Sequence, residues 1–302
     1  MQSSTQGVVM KVAFMGDVHG CVLHALGGVL MLQQRRGIRL DAVVQVGDLG
    51  AYPNADRFDP PSRRFIAYSP AQGDFFRLLD PSPDLATTVR AALEHVPPVL
   101  FVAGNHEDHE WLAALHETAG SPIAAVDPLG AFSHVACGTV IDVAGLRTAF
   151  LGRIESPDMD FDPAAYAALS AAAPGSIDLL VTHEGPYGLS LNRSGDLQGS
   201  LKLTRLIEHL QPPLHISGHI HRENGPRTYG PTTSYALAQL VGPKATPYQP
   251  EGVNPTQQIA AGSIGLLDTE TLAFEYLHDP WLAEVCGDEV DLVGIVAAAQ
   301  AA

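Results

Sequence analysis

Seven polar residues of this 302-residue chain have side chains of the types that bind divalent metal ions. Carboxylate and amide oxygens and imidazole nitrogens are common donors in metal sites that lack thiolates. The seven residues are Asp17, His19, Asp48, Asn105, His183, His219 and His221. Two pairs among them are spaced i to i+2, which places both members on one side of an extended segment. The pattern predicts a site in which bound metal ions activate water as a nucleophile.

These residues fall in five blocks that differ in specificity. Asp-x-His at 17–19, Gly-Asp at 47–48 and Thr-His at 182–183 are weak signals when taken singly. His-x-His at 219–221 is more specific, and Gly-Asn-His-Glu at 104–107 is the strongest of the five. The occurrence of all five in one chain indicates a shared site.

Each block follows an apolar run that predicts a strand buried on both faces. The runs are 8–14, 41–46, 99–103, 177–182 and 214–217. Helices are predicted among them at 24–36, 84–95, 107–117, 163–173 and 201–210. The later part is more antiparallel, with a hairpin at 135–151 and strands at 257–261, 264–267 and 272–276. This order predicts an α/β domain with helices outside its sheets, whose site lies at the carboxyl ends of the strands.

The ordered blocks resemble those of the calcineurin-like metallophosphoesterase superfamily. They span residues 17–221, about two-thirds of the chain, and include every ligand type that the superfamily pattern requires. The resemblance implies a four-layer α/β sandwich, in which two packed mixed β-sheets are flanked by helices. It also implies two metal ions, divalent or mixed-valence, that share one carboxylate. Ligands without thiolate are compatible with Mn, Fe, Zn, Co or Ni.

The same resemblance assigns roles to individual residues. The expected ligands of the first ion are Asp17, His19, Asp48 and His221. The expected ligands of the second ion are Asp48, Asn105, His183 and His219, so that Asp48 is the bridge. His106 is expected to stabilise the transition state or to protonate the leaving group. The implied reaction is attack on phosphorus by a hydroxide shared between the ions.

The second block departs from the pattern of two subgroups. Protein serine/threonine phosphatases and bacterial diadenosine tetraphosphatases continue this block as Gly-Asp-x-Val-Asp-Arg-Gly. Here the residues from Gly47 to Tyr52 read Gly-Asp-Leu-Gly-Ala-Tyr, and the nearest Asp-Arg pair is Asp56-Arg57. The difference argues against both subgroups and leaves the acidic partner of His106 unidentified.

A proline-rich segment follows the second block. We call residues 50–83 the insertion segment; it is predicted to be a long loop that borders the cleft, because it starts two residues after the expected bridging ligand. Its arginines at positions 57, 63 and 64 are candidates for substrate contacts. The predicted organisation is one metallophosphoesterase domain at 1–280 and a C-terminal tail at 281–302.

Charge and cysteine content limit the partners and the compartment. The chain has 17 Lys and Arg against 33 Asp and Glu, a formal net charge of −16. Nucleic-acid binding depends on clustered basic side chains, so a small phosphorylated substrate is predicted in preference to a polymer. Three scattered cysteines predict no disulfide framework. We expect a cytoplasmic protein, because no signal peptide or membrane-spanning run is recognisable. The sequence leaves the oligomeric state and the choice between monoester and diester substrates open.

Two alternative functions remain at this stage. The first is a phosphodiesterase or nuclease that acts on nucleic acid, which the acidic charge balance disfavours. The second is an inactive scaffold that retains the fold for protein binding. Such a scaffold would be expected to lose ligands, whereas this chain keeps all seven and His106. Metal content would separate the scaffold from the enzymes, and cleavage of polymers would separate the two enzymes.

Overall fold

The computed structural model describes residues 10–191, 194–246 and 253–301. Within these residues the strands are β1 (Lys11–Met15), β2 (Ala42–Gln45), β3 (Val99–Phe101), β4 (Ile123–Ala125), β5 (Phe132–Val135), β6 (Val140–Val143), β7 (Leu146–Leu151), β8 (Leu179–Thr182), β9 (Ser190–Leu191), β10 (Leu197–Gln198), β11 (Leu214–Ser217), β12 (Asn224–Tyr229), β13 (Thr232–Ala236), β14 (Ile264–Asp268) and β15 (Phe274–Tyr276). The α-helices of the same residues are α1 (Val22–Arg36), α2 (Pro60–Phe65), α3 (Asp74–Leu79), α4 (Pro83–Leu93), α5 (His109–Ala119), α6 (Pro163–Ser170), α7 (Leu201–Leu210) and α8 (Leu292–Ala301).

Two large mixed sheets form the centre of the described structure. The first has the strand order β15-β14-β1-β2-β3-β5-β4, and the second has the order β12-β13-β11-β8-β7-β6. In the first sheet β1, β2, β3 and β5 are parallel, and in the second β7, β8, β11 and β13 are parallel. The strands that precede the five blocks therefore all belong to the parallel parts of the two sheets.

The faces of the strands divide the interior into three cores. In β1, Val12 and Phe14 contribute to the core between the sheets, whereas Ala13 and Met15 contribute to the core beneath α1. A third core lies between the second sheet and the helices α6 and α7. Strands covered on both faces need apolar side chains at every position, which explains the continuous apolar runs. The result is the predicted four-layer sandwich of two mixed sheets flanked by helices.

Two predictions near the chain ends differ from the structure. Residues 257–261 do not form a strand; Gln257 has a left-handed φ of 49°, which interrupts extended backbone. Residues 8 and 9 of the first predicted strand lie outside the described residues.

The insertion segment is not the loop that its prolines predicted. It contains α2, α3 and two short 3-10 helices, Ala55–Arg57 and Pro70–Gly73, and α4 begins at its last residue. Proline fits the first turn of a helix because the N–H that it lacks has no partner there. The Asp59 carboxylate caps α2 by accepting the N–H of Ser62, and Phe75 is buried in the core beneath α1. Helices thus start at Pro60, Pro70 and Pro83.

The described residues after 280, which the sequence assigned to a C-terminal tail, pack against the rest of the domain. Trp281, Leu282 and Val296 are buried in the same core as α1. Gly27 allows the close approach of α8, because a Cβ at this position would lie 3.2 Å from Ile295 Cδ1. The helix was missed because its sequence, LVGIVAAAQA, has no clear polar face.

Candidate metal centre

The five blocks converge as their positions at strand ends predicted. Each follows one of the strands β1, β2, β3, β8 and β11, and none of the seven candidate ligands lies more than four residues beyond its strand. The candidate metal cluster, defined as the seven residues named above, consists of two groups that share Asp48. The first group is Asp17, His19, Asp48 and His221, and the second is Asp48, His183 and His219. Within each group the potential ligand atoms lie within 4.8 Å of one another. Asn105 joins the second group, with its Oδ1 atom 3.1 Å from His183 Nε2.

The backbone of the cluster is held in an unfavourable conformation. His19, Asp48, His219 and His221 have φ angles of 46°, 56°, 72° and 57°. L-residues rarely adopt this left-handed region, and it costs on the order of 1–3 kcal/mol per residue. Each turn directs the side chain into the cleft immediately after its strand. The geometry is therefore set by the fold and persists at the expense of local stability.

Three glycines leave room for the cluster side chains. A Cβ at Gly104 would lie 2.1 Å from Asp48 Oδ1, and one at Gly218 would lie 2.3 Å from Asp17 Oδ1. A Cβ at Gly47 would meet the His183 ring at 2.4 Å. All three distances are shorter than van der Waals contact. These positions admit glycine because the carboxylates and the ring occupy the space of a side chain.

The two aspartates present one oxygen each to the centre of the cluster. Asp48 Oδ1 accepts the backbone N–H of His106 at 2.8 Å, and Asp17 Oδ1 accepts that of His219 at 3.0 Å. The Oδ2 atoms of both are buried; that of Asp48 accepts no hydrogen bond, and that of Asp17 lies 3.0 Å from His221 Nε2. Asp48 Oδ2 lies 3.4 Å from His183 Nε2 and 3.8 Å from His19 Nε2. Buried carboxylate oxygens without a donor are costly, and a cation between these groups would compensate for that cost.

The histidines of the cluster also present ring nitrogens whose lone pairs could bind a metal ion. His183 Nδ1 lies 3.0 Å from the carbonyl oxygen of Val46, so Nδ1 carries the proton and donates it. In neutral His183 the Nε2 lone pair then faces Asp48 and Asn105, which is the tautomer of a metal-binding imidazole. His19 Nε2 and His221 Nε2 face each other at 3.0 Å, so at most one of them is protonated. The donor set and its orientation fit metal ions.

The histidines of the cluster differ in the direction in which their pKa values are shifted. Burial lowers the pKa of both His19 and His219 to about 4. For His183 burial would also lower the pKa, but the neighbouring Asp48 and Asp17 carboxylates outweigh it and raise the pKa to about 10. Burial would raise the pKa of Asp48, but the imidazoles of His183 and His19 hold it well below its usual range. Without a metal ion, positive charge on His183 offsets the buried carboxylates.

His106 has an acidic partner that the sequence did not identify. Its Nδ1 is hydrogen-bonded to Asp59 Oδ2, at the N-terminus of α2 in the insertion segment. Burial would lower the pKa of His106, but the Asp59 and Asp48 carboxylates outweigh it and raise the pKa to about 9. The sequence predicted residues 59–61 to be part of a loop, and only the tertiary position of α2 brings this carboxylate to His106.

Glu107 is a second residue that the sequence analysis did not assign. Its carboxyl group is buried and accepts the N–H of Gly104 at 2.6 Å and that of Gly50 at 3.2 Å. It therefore joins the turn after β3 to the turn after β2. Burial and the nearby Asp48 charge raise the pKa of Glu107 to about 8.

The insertion segment borders the cleft, as predicted. A cavity of about 650 Å³ opens beside the cluster, and its lining includes His19, His106, His219 and His221 as well as Tyr52, Phe58 and Phe65. Arg57 does not line this cavity, because its guanidinium pairs with Asp108 at 2.8 Å and with Glu110. Arg63 and Arg64 line a separate surface pocket. Arg57, Arg63 and Arg64, which were candidates for substrate contacts, therefore do not line this cavity.

Comparisons with known proteins agree with this architecture. Residues 10–223 match the family model of the calcineurin-like phosphoesterases. The chain is also similar to UPF0046 protein K07C11.7 of Caenorhabditis elegans, with 30% identity over 153 residues. That alignment covers 46% of this chain and 51% of the relative, so the chain matches about half of the length of that relative.

Solved structures share the fold at low sequence identity. The structure of the Thermus thermophilus protein TT1561 superposes with a TM-score of 0.50 and 16% identity, covering 89% of this chain and 99% of that one. A second solved structure superposes with a TM-score of 0.53 and 13% identity, with the same coverage. No helix among the described residues is long and apolar enough to span a membrane.

Proposed function

Because this chain belongs to the calcineurin-like phosphoesterase family, we propose that it is a metal-dependent hydrolase of phosphoester bonds that acts on a small phosphorylated substrate. The observation that carries the proposal is the pair of ligand groups that share Asp48 at the base of a cavity. A single structural ion would require only one such group. The intact ligand set also argues against an inactive scaffold.

Two ions would be held by the residues of the candidate metal cluster. Asp17, His19 and His221 would bind one ion, Asn105, His183 and His219 would bind the other, and Asp48 would bind both. When bound, such ions act as Lewis acids toward phosphoryl oxygens and lower the pKa of water. The protein contributes by fixing these donors before the substrate arrives, through the left-handed turns and the hydrogen bonds to the two aspartates.

His106 is the proposed proton donor to the leaving group. Its Nδ1 is occupied by Asp59, and its ring lines the cavity. The remaining ring nitrogen can therefore hold a proton for the departing alcohol oxygen while the phosphorus–oxygen bond breaks. Asp59 is a positioning residue, because it acts through His106 by fixing the orientation and protonation of the ring.

The charges around the cleft favour a small substrate over a nucleic acid. A polymer needs several cationic contacts beyond the reacting phosphate. Among the described residues that line the cavity, Arg222 has the one cationic side chain of the Lys or Arg type. The overall charge of −16 adds a repulsive field for an extended polyanion. These observations support the hydrolysis of a small ester and do not favour the nuclease alternative.

A substrate panel tests this proposal. The purified protein, loaded in turn with Mn, Fe, Zn, Co or Ni, is assayed against phosphomonoesters, small phosphodiesters, nucleotides and single-stranded RNA and DNA. We expect metal-dependent hydrolysis of at least one small ester, with weak dependence on salt. Rapid cleavage of RNA or DNA at low salt that collapses as salt rises, with small esters untouched, would support the nuclease alternative instead.

A further inference from the structure

The lining of the cavity beside the candidate metal cluster combines polar and apolar side chains. The base of the cavity is formed by His19, His106, His219 and His221. The remaining polar side chains of the lining are those of Ser62, Gln72, Arg222, Gln239 and Thr246. The apolar part of the wall is formed by Tyr52, Phe58, Phe65, Ile66, Leu191 and Val253. The aromatic side of this wall is ordered, since Phe58 packs edge-on against Tyr52 with ring centroids 4.9 Å apart. A phosphoryl group at the base would therefore place its organic substituent against hydrocarbon.

The described part of the wall carries little charge. No carboxylate lines the cavity among the described residues, and Arg222 is its one guanidinium. Arg57 is held outside by Asp108 and Glu110. Among these described residues a second or third phosphate would find few cations to neutralise it, which argues against polyphosphates and nucleoside triphosphates.

Apolar surface continues from the cavity to the exterior. Leu191 and Val253 line the cavity, yet they are 43% and 51% exposed. Leu191 in β9 lies directly opposite Leu197 in β10, which is 44% exposed. Half-exposed apolar residues at the mouth of a cavity gain most from a ligand that covers them.

We propose that the substrate is a phosphate ester with a single phosphoryl group and an apolar alcohol, either alkyl or aryl, whose hydrocarbon part occupies this wall. This assignment rests on the proposed function. In the reaction, water adds to phosphorus, the bond between phosphorus and the alcohol oxygen breaks, and that oxygen takes up a proton as the alcohol leaves. Phe65, Ile66, Leu191 and Val253 determine specificity, because they contact the alcohol and not the phosphoryl group.

Binding of non-hydrolysable alkylphosphonates, from methyl to octyl, tests this assignment without requiring turnover. Calorimetry on the metal-loaded protein should give a Kd that tightens by up to about fourfold per methylene until the wall is filled. The heat-capacity change on binding should become more negative along the series. A Kd that does not depend on chain length would overturn the proposal, as would tighter binding of inorganic triphosphate than of octylphosphonate.

Matched variants locate the effect. Phe65→Ala and Val253→Ser should each raise the Kd of octylphosphonate by about 3- to 10-fold, while methylphosphonate binds as it does to the wild type. Val140→Ser is the control for Val253→Ser, because Val140 is 46% exposed and lies on β6, outside the cavity lining. An equal loss in Val140→Ser, or none in either cavity variant, would contradict the assignment.

Hydrolysis assays separate the two proposals. Turnover of butyl or phenyl phosphate at higher kcat/KM than glycerol phosphate supports both. Equal turnover of all esters overturns the apolar specificity and leaves the phosphoesterase proposal intact. Absence of turnover with every ester, together with phosphonate binding that depends on chain length, overturns the phosphoesterase proposal and not the apolar preference of the wall.

Discussion

The base of the cleft and the wall that faces it are built in different ways. At the base, polar residues follow parallel strands, four of them have left-handed φ angles, and glycines such as Gly104 leave the space that Asp48 occupies. Much of the wall is formed by the insertion segment, in α2 and the turns beside it, and the position of α2 depends on side-chain packing. Backbone geometry thus fixes the proposed chemistry, whereas packing fixes what the substrate and His106 contact.

The largest effect should come from the residue shared by both ligand groups. Asp48→Asn removes the anionic donor from both groups while preserving side-chain shape. We expect loss of bound metal from about two ions per chain to fewer than one, and a fall in kcat/KM of at least ~10³-fold, because several kcal/mol of charge stabilisation are lost. Elemental analysis with parallel kinetics provides the measurement. Full activity with unchanged metal content would show that Asp48 is not a bridge.

The next effect tests the hydrogen bond between His106 at the base and Asp59 in the insertion segment. His106→Ala should retain metal but lose ~10²–10⁴-fold in kcat, the usual range for a positioned acid or base. Asp59→Asn should lose about 10- to 100-fold in kcat with a smaller change in KM. The double variant should be no worse than His106→Ala alone, because Asp59 acts through His106.

Asp162→Asn is the matched control for Asp59→Asn. Asp162 also caps a helix that starts with proline, accepting the N–H of Ala165 at 2.9 Å, but its other oxygen has no histidine partner among the described residues. Asparagine caps helices as well as aspartate does, so both variants should fold. Comparable kinetic losses in the two variants would indicate that capping, and not contact with His106, explains the effect.

A smaller effect compares glycines at the base and in the wall. Gly104→Ala forces a Cβ to within 2.1 Å of Asp48 Oδ1, so we expect a loss of about 1–3 kcal/mol in the free energy of unfolding and weakened metal binding. Gly73→Ala places its Cβ 3.7 Å from Ile66 Cδ1, an ordinary contact, and should change stability by less than about 1 kcal/mol. Denaturant unfolding of both metal-free variants provides the test, and equal losses would contradict the contrast between base and wall.

The last effect lies outside both regions and depends on pH. His24 on α1 is buried, its Nε2 donates to the carbonyl of Gln257 at 2.9 Å, and burial lowers its pKa to about 4. In the unfolded chain the His24 imidazole has a pKa near 6.5, so as the pH falls it is protonated before the folded form is. His24 therefore destabilises the fold as pH falls from about 6.5 to about 4, by up to about 1.4 kcal/mol per pH unit.

The comparison of wild type with His24→Gln isolates this contribution. The free energy of unfolding of both proteins is measured at several pH values without metal, because metal binding also releases protons. The variant should show a shallower fall in the free energy of unfolding between pH 6.5 and pH 4. Parallel curves would mean that His24 is not held neutral in the folded state.

The contrast between base and wall also explains what could be predicted from sequence. Asp17, Asp48 and His183 follow apolar strands, and a strand end places a residue at a known edge of a sheet. Asp59 follows no strand, and its proximity to His106 depends on the packing of α2. Glu107 belongs to a recognisable block, but its two backbone partners come from separate turns. The local sequence pattern was sufficient to predict residues whose position is set by the backbone at a strand end. It was insufficient for residues whose position is set by contacts between distant segments.

The most direct test of the central claim is anomalous X-ray scattering from crystals grown with Mn²⁺. The account predicts two anomalous peaks per chain. One should contact Asp17, His19 and His221, the other should contact Asn105, His183 and His219, and Asp48 should contact both. A single peak at full occupancy, or peaks that do not share Asp48, would contradict the account.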